Sequence, residues 1–207
     1  MKIICVGHNY ELHNKEMNTP LFNKSADPVL FLKPDSALLK DGKPFFIPDF
    51  SEEIHYEVEL VIRINRLGKN IAERFANRYY SEVTVGIDFT ARDLQKKQKD
   101  QGLPWEISKA FDGSAVIGDF VNKDSFEEQI NSLNFSLLKN GVCVQKANTS
   151  EMINSVDKII SYASRFFTLK IGDLIFTGTP AGVGRIEIGN HLEGFLEQKK
   201  LLDFCIC

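Results

Sequence analysis

Cysteine is scarce in this chain, and the four present, Cys5, Cys143, Cys205 and Cys207, form no Cys-x-x-Cys pair and have no histidine at zinc-finger spacing. A structural zinc finger is therefore excluded, and the thiols read as buried or incidental. Cys205 and Cys207 would share one face of a terminal strand, where neighbours two apart diverge from disulfide geometry. Long apolar runs are missing too. Met1 to Gly7 has one lysine and five apolar residues, too short for a signal-peptide core or a membrane span. No membrane partner and a cytoplasmic location are expected. An excess of one charge is also lacking: 25 basic and 28 acidic residues, well mixed, leave a net charge of -3 and no footprint for nucleic acid. The cluster Lys96, Lys97 and Lys99 reads as a solvated helix face. There is no internal repeat, low-complexity tract or Gly/Ser linker.

What remains is a chain of 207 residues, 43% hydrophobic and 26% charged, with the make-up of an ordinary folded protein. One domain over 1–207 is expected, with residues 1–50 a candidate small N-terminal subdomain or lid. Apolar patterning predicts strands at Lys2 to Val6, Pro28 to Lys33, His55 to Ile64 and Val83 to Phe89. Further strands are expected at Ala115 to Ile117, Asn134 to Lys139, Val142 to Gln145, Asp173 to Thr177 and Leu201 to Ile206. Asn140-Gly141 signals a two-residue hairpin. Helices are expected at Asn9 to Met17, at Ile71 to Tyr80, and from Thr90, where Thr-Ala-Arg-Asp matches a helix-start signature, to a stop at Gly102 and Pro104. The longest expected helix is Ser150 to Phe167, with Met152, Val156, Ile159, Ile160, Ala163 and Phe167 on its buried face. Strands do not alternate with crossover helices, so the class is α+β with a mostly antiparallel or mixed sheet.

The strand HYEVELVIRI carries the most chemistry. Alternation puts Tyr56, Val58, Leu60 and Ile62 on one face and His55, Glu57, Glu59 and Val61 on the other. Two carboxylates are thus side by side, either as a solvated acidic face or, given the apolar surroundings, in a buried setting that demands a proton or a cation. Asp88 ends the apolar strand VTVGID, as a third acid or as a cap of the helix that follows. Three oxygen-only ligands suit a hard ion such as Mg2+ or Mn2+, with positions left for water and substrate. His13 and Glu16 are three apart in the first expected helix and share a face, as a surface pair or as an imidazole oriented by a carboxylate. Arg92 and Gln95 share the helix face after Asp88, placed to contact a carboxylate substrate or simply to solvate that helix. Lys109 by itself reads as an exposed lysine. GTPAGVG at 178–184 lacks the ending of a P-loop and the spacing of a dinucleotide fingerprint, so it reads as a tight strand-end turn.

The segments CVGHNYELHNKEM at 5–17, PVLFLKP at 28–34, HYEVELVI at 55–62, GIDFTARDLQ at 86–95, GLPWEISKAFDG at 102–113 and IFTGTPAGVG at 175–184 resemble the fumarylacetoacetate hydrolase family. They are most similar to its short acylpyruvase and oxaloacetate decarboxylase branch. The resemblance implies a β-rich mixed-sheet roll, a homodimer and a Mg2+ or Mn2+ cofactor held by Glu57, Glu59 and Asp88. It also implies a water-activating dyad of His13 and Glu16, a cationic Lys109, and a turn whose Thr179 holds a substrate carboxylate. Family members commonly carry arginine where this chain has His8.

The function implied is metal-dependent cleavage of a carbon–carbon bond in small 2-oxo acids: acylpyruvate or fumarylpyruvate hydrolysis, or oxaloacetate decarboxylation. The alternatives are an isomerase or keto–enol tautomerase on the same site and a non-catalytic metal-binding protein. The group beyond the 2-oxo acid is expected to meet loops such as Asn18 to Asp27.

Overall fold

The computed structural model describes residues 1–17 and 27–207, so the expected loop from Asn18 falls, as far as residue 26, outside the described residues. β1 (Ile3–Gly7) leads into α1 (Glu11–Glu16), and β2 (Val29–Lys33) pairs antiparallel with β1 before the short β3 (Leu38–Leu39). The strand expected from His55 to Ile64 is split into β4 (Ile54–Tyr56) and β5 (Val58–Ile64). Its ladder breaks at Glu57, where the Val58 N–H donates instead to the Gln145 side chain at 2.9 Å.

The helix expected over Ile71 to Tyr80 contracts to a 3-10 helix at Glu73–Arg78. Tyr80 is buried and pairs with Ile64, so tertiary pairing overrides local propensity and opens β6 (Tyr80–Asp88). After β7 (Thr90–Ala91) comes α2 (Arg92–Gln101). The expected helix-start signature fails: Thr90 is in the strand, Ala91 occupies the cap position without a side-chain bond, and Asp93 accepts from the Ser51 hydroxyl and the Glu52 N–H. Gly102 stops α2 in the left-handed region at φ +64°, turning the chain back towards α3 (Glu106–Lys109).

β8 (Ala115–Ile117), β9 (Val121–Asn122), β10 (Asn134–Lys139) and β11 (Val142–Asn148) follow, the last two joined by the expected Asn140-Gly141 hairpin. The long helix starts later than expected, as α4 (Val156–Phe166), because the Ser155 hydroxyl accepts the Lys158 N–H and a separate capped turn uses up Thr149–Glu151. Val156, Ile159, Ile160 and Ala163 are fully buried on one face of α4, each larger side chain contributing about 1.5–3 kcal/mol. The chain continues through β12 (Leu174–Phe176), β13 (Gly184–Arg185), β14 (His191–Leu196) and β15 (Lys199–Cys205).

The central sheet runs β2-β1-β12-β5-β6-β8-β3, with β9 beside β6, and is mixed because β1 and β12, and β3 and β8, pair parallel. A four-stranded sheet, β11-β10-β14-β15, packs against β5 and β6, and a small sheet, β13-β4-β7, closes one side. The expected β-rich α+β class with a mixed sheet is what the chain adopts. β5 is buried on both faces except at Arg63, as a strand inside two layers must be. Its start, the end of β6 and the end of β12 come together at one edge of the layers, which is where the acids gather. No described helix is long and apolar enough to cross a membrane.

Candidate active site and metal centre

Glu57 sits in the break between β4 and β5, Glu59 two residues on, and Asp88 at the end of β6. The Asp88 N–H donates to the Glu57 carbonyl at 2.9 Å, which fixes the two strand ends against each other. The three carboxylates are at most 4% exposed, and each offers an oxygen within 4.8 Å of the others. The acidic face is thus buried rather than solvated, and Asp88 does not cap α2.

Cations surround two of the three acids. Lys109, far from being exposed, is buried, and its ammonium lies 2.6 Å from Glu57 Oε2 and 2.8 Å from Asp88 Oδ2. Arg92 Nη2 is 2.5 Å from Glu57 Oε1, and Lys33 Nζ is 2.7 Å from Asp88 Oδ1. Burial works against the charge of Glu57, but Lys109, Arg92 and His13 outweigh it and hold its pKa well below the usual range. Burial likewise opposes the Lys109 ammonium, yet Asp88 and Glu57 push its pKa up to about 12. Glu59 has no cation partner among the described residues. Burial, then Asp88 and Glu57, raise its pKa well above the ordinary value, against the N–H of Gly178 at 2.6 Å and the charge of Lys109.

This donor set fits a hard divalent cation: oxygen ligands only, mutually close, buried, and one of them short of positive charge. Glu57, Glu59 and Asp88 would hold the ion, and Lys109 now bridges two of them.

His13 faces inward from α1 and is buried, with its Nδ1 3.2 Å from Glu16 Oε2. A carboxylate can only accept, so Nδ1 carries the proton and Nε2 keeps its lone pair. Burial, more than any other cause, lowers the His13 pKa below 6.5, against the raising effects of Glu57 and Glu16. The glycine-rich turn after β12 ties the dyad to the acids. Gly178 donates to Glu59, and the Gly182 N–H lies 3.0 Å and 3.2 Å from the two Glu16 oxygens. The segment GTPAGVG connects β12 to β13, with Gly178 and Gly182 both at positive φ.

Thr179, in the same turn, is buried, and its hydroxyl accepts from Gln145 Nε2 at 3.0 Å. Arg92 Nη1 donates to Gln95 Oε1 at 2.7 Å, so these two helix residues turn inward together. His13, Glu57, Glu59, Asp88, Arg92, Gln95, Lys109 and Thr179 all line one narrow cavity of about 30 Å3. Glu16 stands behind His13. A wider groove of about 820 Å3 between β8 and β15 is lined by charges of both signs, including the paired Arg63 and Glu82, and gathers no comparable set of acids.

Sequence reasoning passed over Lys33, Gln145, Lys99 and Trp105. Lys33 ends an apolar strand before a proline and looks like a surface residue; its signal is that it alternates with Phe31, which lines the cavity, while Lys33 itself reaches the acids from behind through Asp88. Lys96 and Lys97 are exposed as expected, but Lys99 turns into the cavity wall with Trp105, and the solvated-face reading fails for it.

Residues 2–206 match the family described as the fumarylacetoacetate hydrolase C-terminal domain. The chain belongs to this family. It is therefore an enzyme of a family whose named members hydrolyse, decarboxylate and isomerise. Among its relatives, mitochondrial oxaloacetate tautomerase FAHD1 of Rattus norvegicus is 40% identical over 94% of this chain and 86% of the relative. Mitochondrial oxaloacetate decarboxylase of Dictyostelium discoideum is 41% identical over 93% of this chain and 87% of the relative. The crystal structure of fumarylpyruvate hydrolase from Pseudomonas aeruginosa, in complex with Mn2+ and pyruvate, superposes with a TM-score of 0.91 at 35% identity, covering 100% of this chain and 89% of that one.

Proposed function

We propose that this enzyme cleaves a carbon–carbon bond in small 2-oxo acids, using Mg2+ or Mn2+ held by Glu57, Glu59 and Asp88. The observation that carries the reading is the buried convergence of these carboxylates beside an oriented His13–Glu16 pair. The manganese and pyruvate of the Pseudomonas relative and the names of the oxaloacetate-acting relatives support it. When bound, the ion supplies Lewis acidity towards the oxygens of a 2-oxo acid.

The residues of the chain account for the remaining steps. For an acylpyruvate, His13 Nε2 takes a proton from a water as that water adds to the distal carbonyl, and Glu16 stabilises the resulting imidazolium through Nδ1. The carbon–carbon bond then breaks, its electron pair passing into the pyruvate fragment as an enolate, while the distal fragment leaves as a carboxylic acid. Lys109 faces the developing negative charge and returns a proton to carbon; Arg92, Gln95 and Thr179 orient the substrate carboxylate. For oxaloacetate, carbon dioxide leaves without any water, and only enolate protonation is needed. A second reading, keto–enol tautomerisation, moves one proton between carbon and the 2-oxo oxygen on the same residues. The name of the rat relative favours keeping it in view.

Under the same proposal, residues 1–207 act as one catalytic domain. Its support is that β1 and β2 are integral to the central sheet through β12. A homodimer is supported by an apolar groove beside α3, lined by Leu32, Phe50, Leu94, Ile107 and Phe111. A reducing cytoplasmic setting suits four cysteines that are all free. The test is turnover of oxaloacetate, acetylpyruvate and fumarylpyruvate, with a tautomer assay, in Mg2+, Mn2+ and chelator. Metal-restored cleavage is expected. Full activity in chelator, or no turnover of any of these acids, overturns the reading.

A further inference from the structure

Of the four cations around the cavity among the described residues, three are already committed to its acids: Lys33 to Asp88, Lys109 to Glu57 and Asp88, Arg92 to Glu57. Lys99 is different. It stands two turns along α2 from Arg92, on the helix face that Arg92 and Gln95 present to the cavity. Its ammonium lies 5.5 Å from the centre of the Trp105 ring, and it has no carboxylate partner among the described residues. Trp105 is in turn held edge-on by His8, at 6.2 Å, and by Phe31, at 6.0 Å. The wall is therefore an aromatic surface bearing one half-buried positive charge.

We propose that Lys99, backed by Trp105, binds the far carboxylate of a dicarboxylic 2-oxo acid and so selects such substrates over 2-oxo acids with an apolar tail. This rests on the 2-oxo acid reading of the site and extends it to a substrate class. The committed cations leave the inner pocket to the 2-oxo acid head, and among the described residues the only further charge on its wall is positive. Crowding agrees with this: burial and the Arg92 charge lower the Lys99 pKa, against a raising effect of Glu57, so an added anion relieves a strained cation. A carboxylate seated on Lys99 forms a charge-assisted bond in a half-buried place, where it is stronger than one at the surface.

The test uses two ligands of equal length. Oxaloacetate carries a carboxylate where 2-oxobutyrate carries a methyl group. Trp105 is the sole tryptophan, so its fluorescence reports binding at this wall without reference to turnover. Stopped-flow titration of the Mg2+-loaded protein is expected to show oxaloacetate bound at least about tenfold more tightly than 2-oxobutyrate, a preference of the size one charged contact supplies. Lys99→Met should remove about tenfold of oxaloacetate affinity and change 2-oxobutyrate by less than about twofold, and Lys99→Arg should keep the preference. Equal losses for both ligands, an unchanged preference in a folded Lys99→Met protein, or no fluorescence response to either ligand overturns the assignment. Selective binding without turnover leaves the wall assigned and sinks the reaction, whereas turnover without a Lys99-dependent preference does the reverse.

Discussion

The Gly178 N–H lies 2.6 Å from Glu59 Oε2, so the acid with no cation partner among the described residues is held by the backbone of the turn after β12. The same residue abuts Asn9, whose side-chain amide donates to the Thr177 carbonyl at 2.7 Å and to the Asn154 carbonyl at 3.0 Å. One glycine thereby joins β1, β12 and the acid set.

Gly178→Ala should be severe. Its φ of +101° excludes ordinary side chains, and a Cβ there would lie 2.6 Å from the Asn9 Cβ. A loss of at least about 2 kcal/mol is expected, with weakened divalent-ion affinity, since Glu59 moves with the turn. Denaturant unfolding and metal titration check it; wild-type values for both would show the turn to be dispensable.

Lys109→Met separates the two cations that compete for one place. Without metal, it leaves Glu57 and Asp88 buried beside each other, an imbalance expected to cost about 3–5 kcal/mol. Adding Mn2+ should recover much of that loss, while catalysis stays low. A variant as stable as wild type in chelator would contradict the ion-pair account.

His13→Ala should reduce acylpyruvate hydrolysis by about 10² to 10⁴ and oxaloacetate decarboxylation far less, because only the first needs an activated water. Glu16→Gln should follow the same pattern more mildly. The pH dependence has a defined sign. The neutral imidazole is the base, and burial lowers its pKa, so hydrolysis should hold at pH 6.5 and fall off only below it, as His13 gains a proton. Decarboxylation should lack this limb. Equal losses of both activities, with metal affinity intact, would falsify water activation by His13.

Asp93→Ala should destabilise the start of α2 by about 1 kcal/mol, since the carboxylate accepts from the Ser51 hydroxyl at 2.6 Å, the Leu94 N–H at 2.8 Å and the Glu52 N–H at 3.1 Å. Burial alone would raise its pKa, but these donors outweigh it and depress it below 3.8. The stabilisation is therefore present above the unfolded pKa and is lost as pH falls through the lower folded one. Asp93→Asn should flatten that acid-side loss in unfolding measured between pH 5 and 2.

The strand register was legible because apolar alternation reports burial directly, and Glu57, Glu59 and Asp88 stood out as acids in strands with no reason to be wet. The break at Glu57 was not legible: its cause is Gln145, a residue from β11 whose arrival no local pattern announces. Lys33, Lys99 and Lys109 were read as surface or left aside for a related reason. A lysine is buried only by what neutralises or surrounds it, and those partners come from other strands. The Ile71 to Tyr80 segment was misjudged because Tyr80 belongs to a ladder formed with β5, not to its own neighbours.

The pairing of β1 with β12 joins Ile3 to Leu174, almost the full length of the chain, whereas the three acids all fall between residues 57 and 88 on neighbouring strands. Closing so long a loop is slow compared with closing a local hairpin. The acids can therefore approach one another as the β5–β6 pair forms, but Glu59 gains its Gly178 donor and Glu16 its Gly182 donor only with the turn after β12, so one late strand pairing completes the acid set and the histidine dyad together.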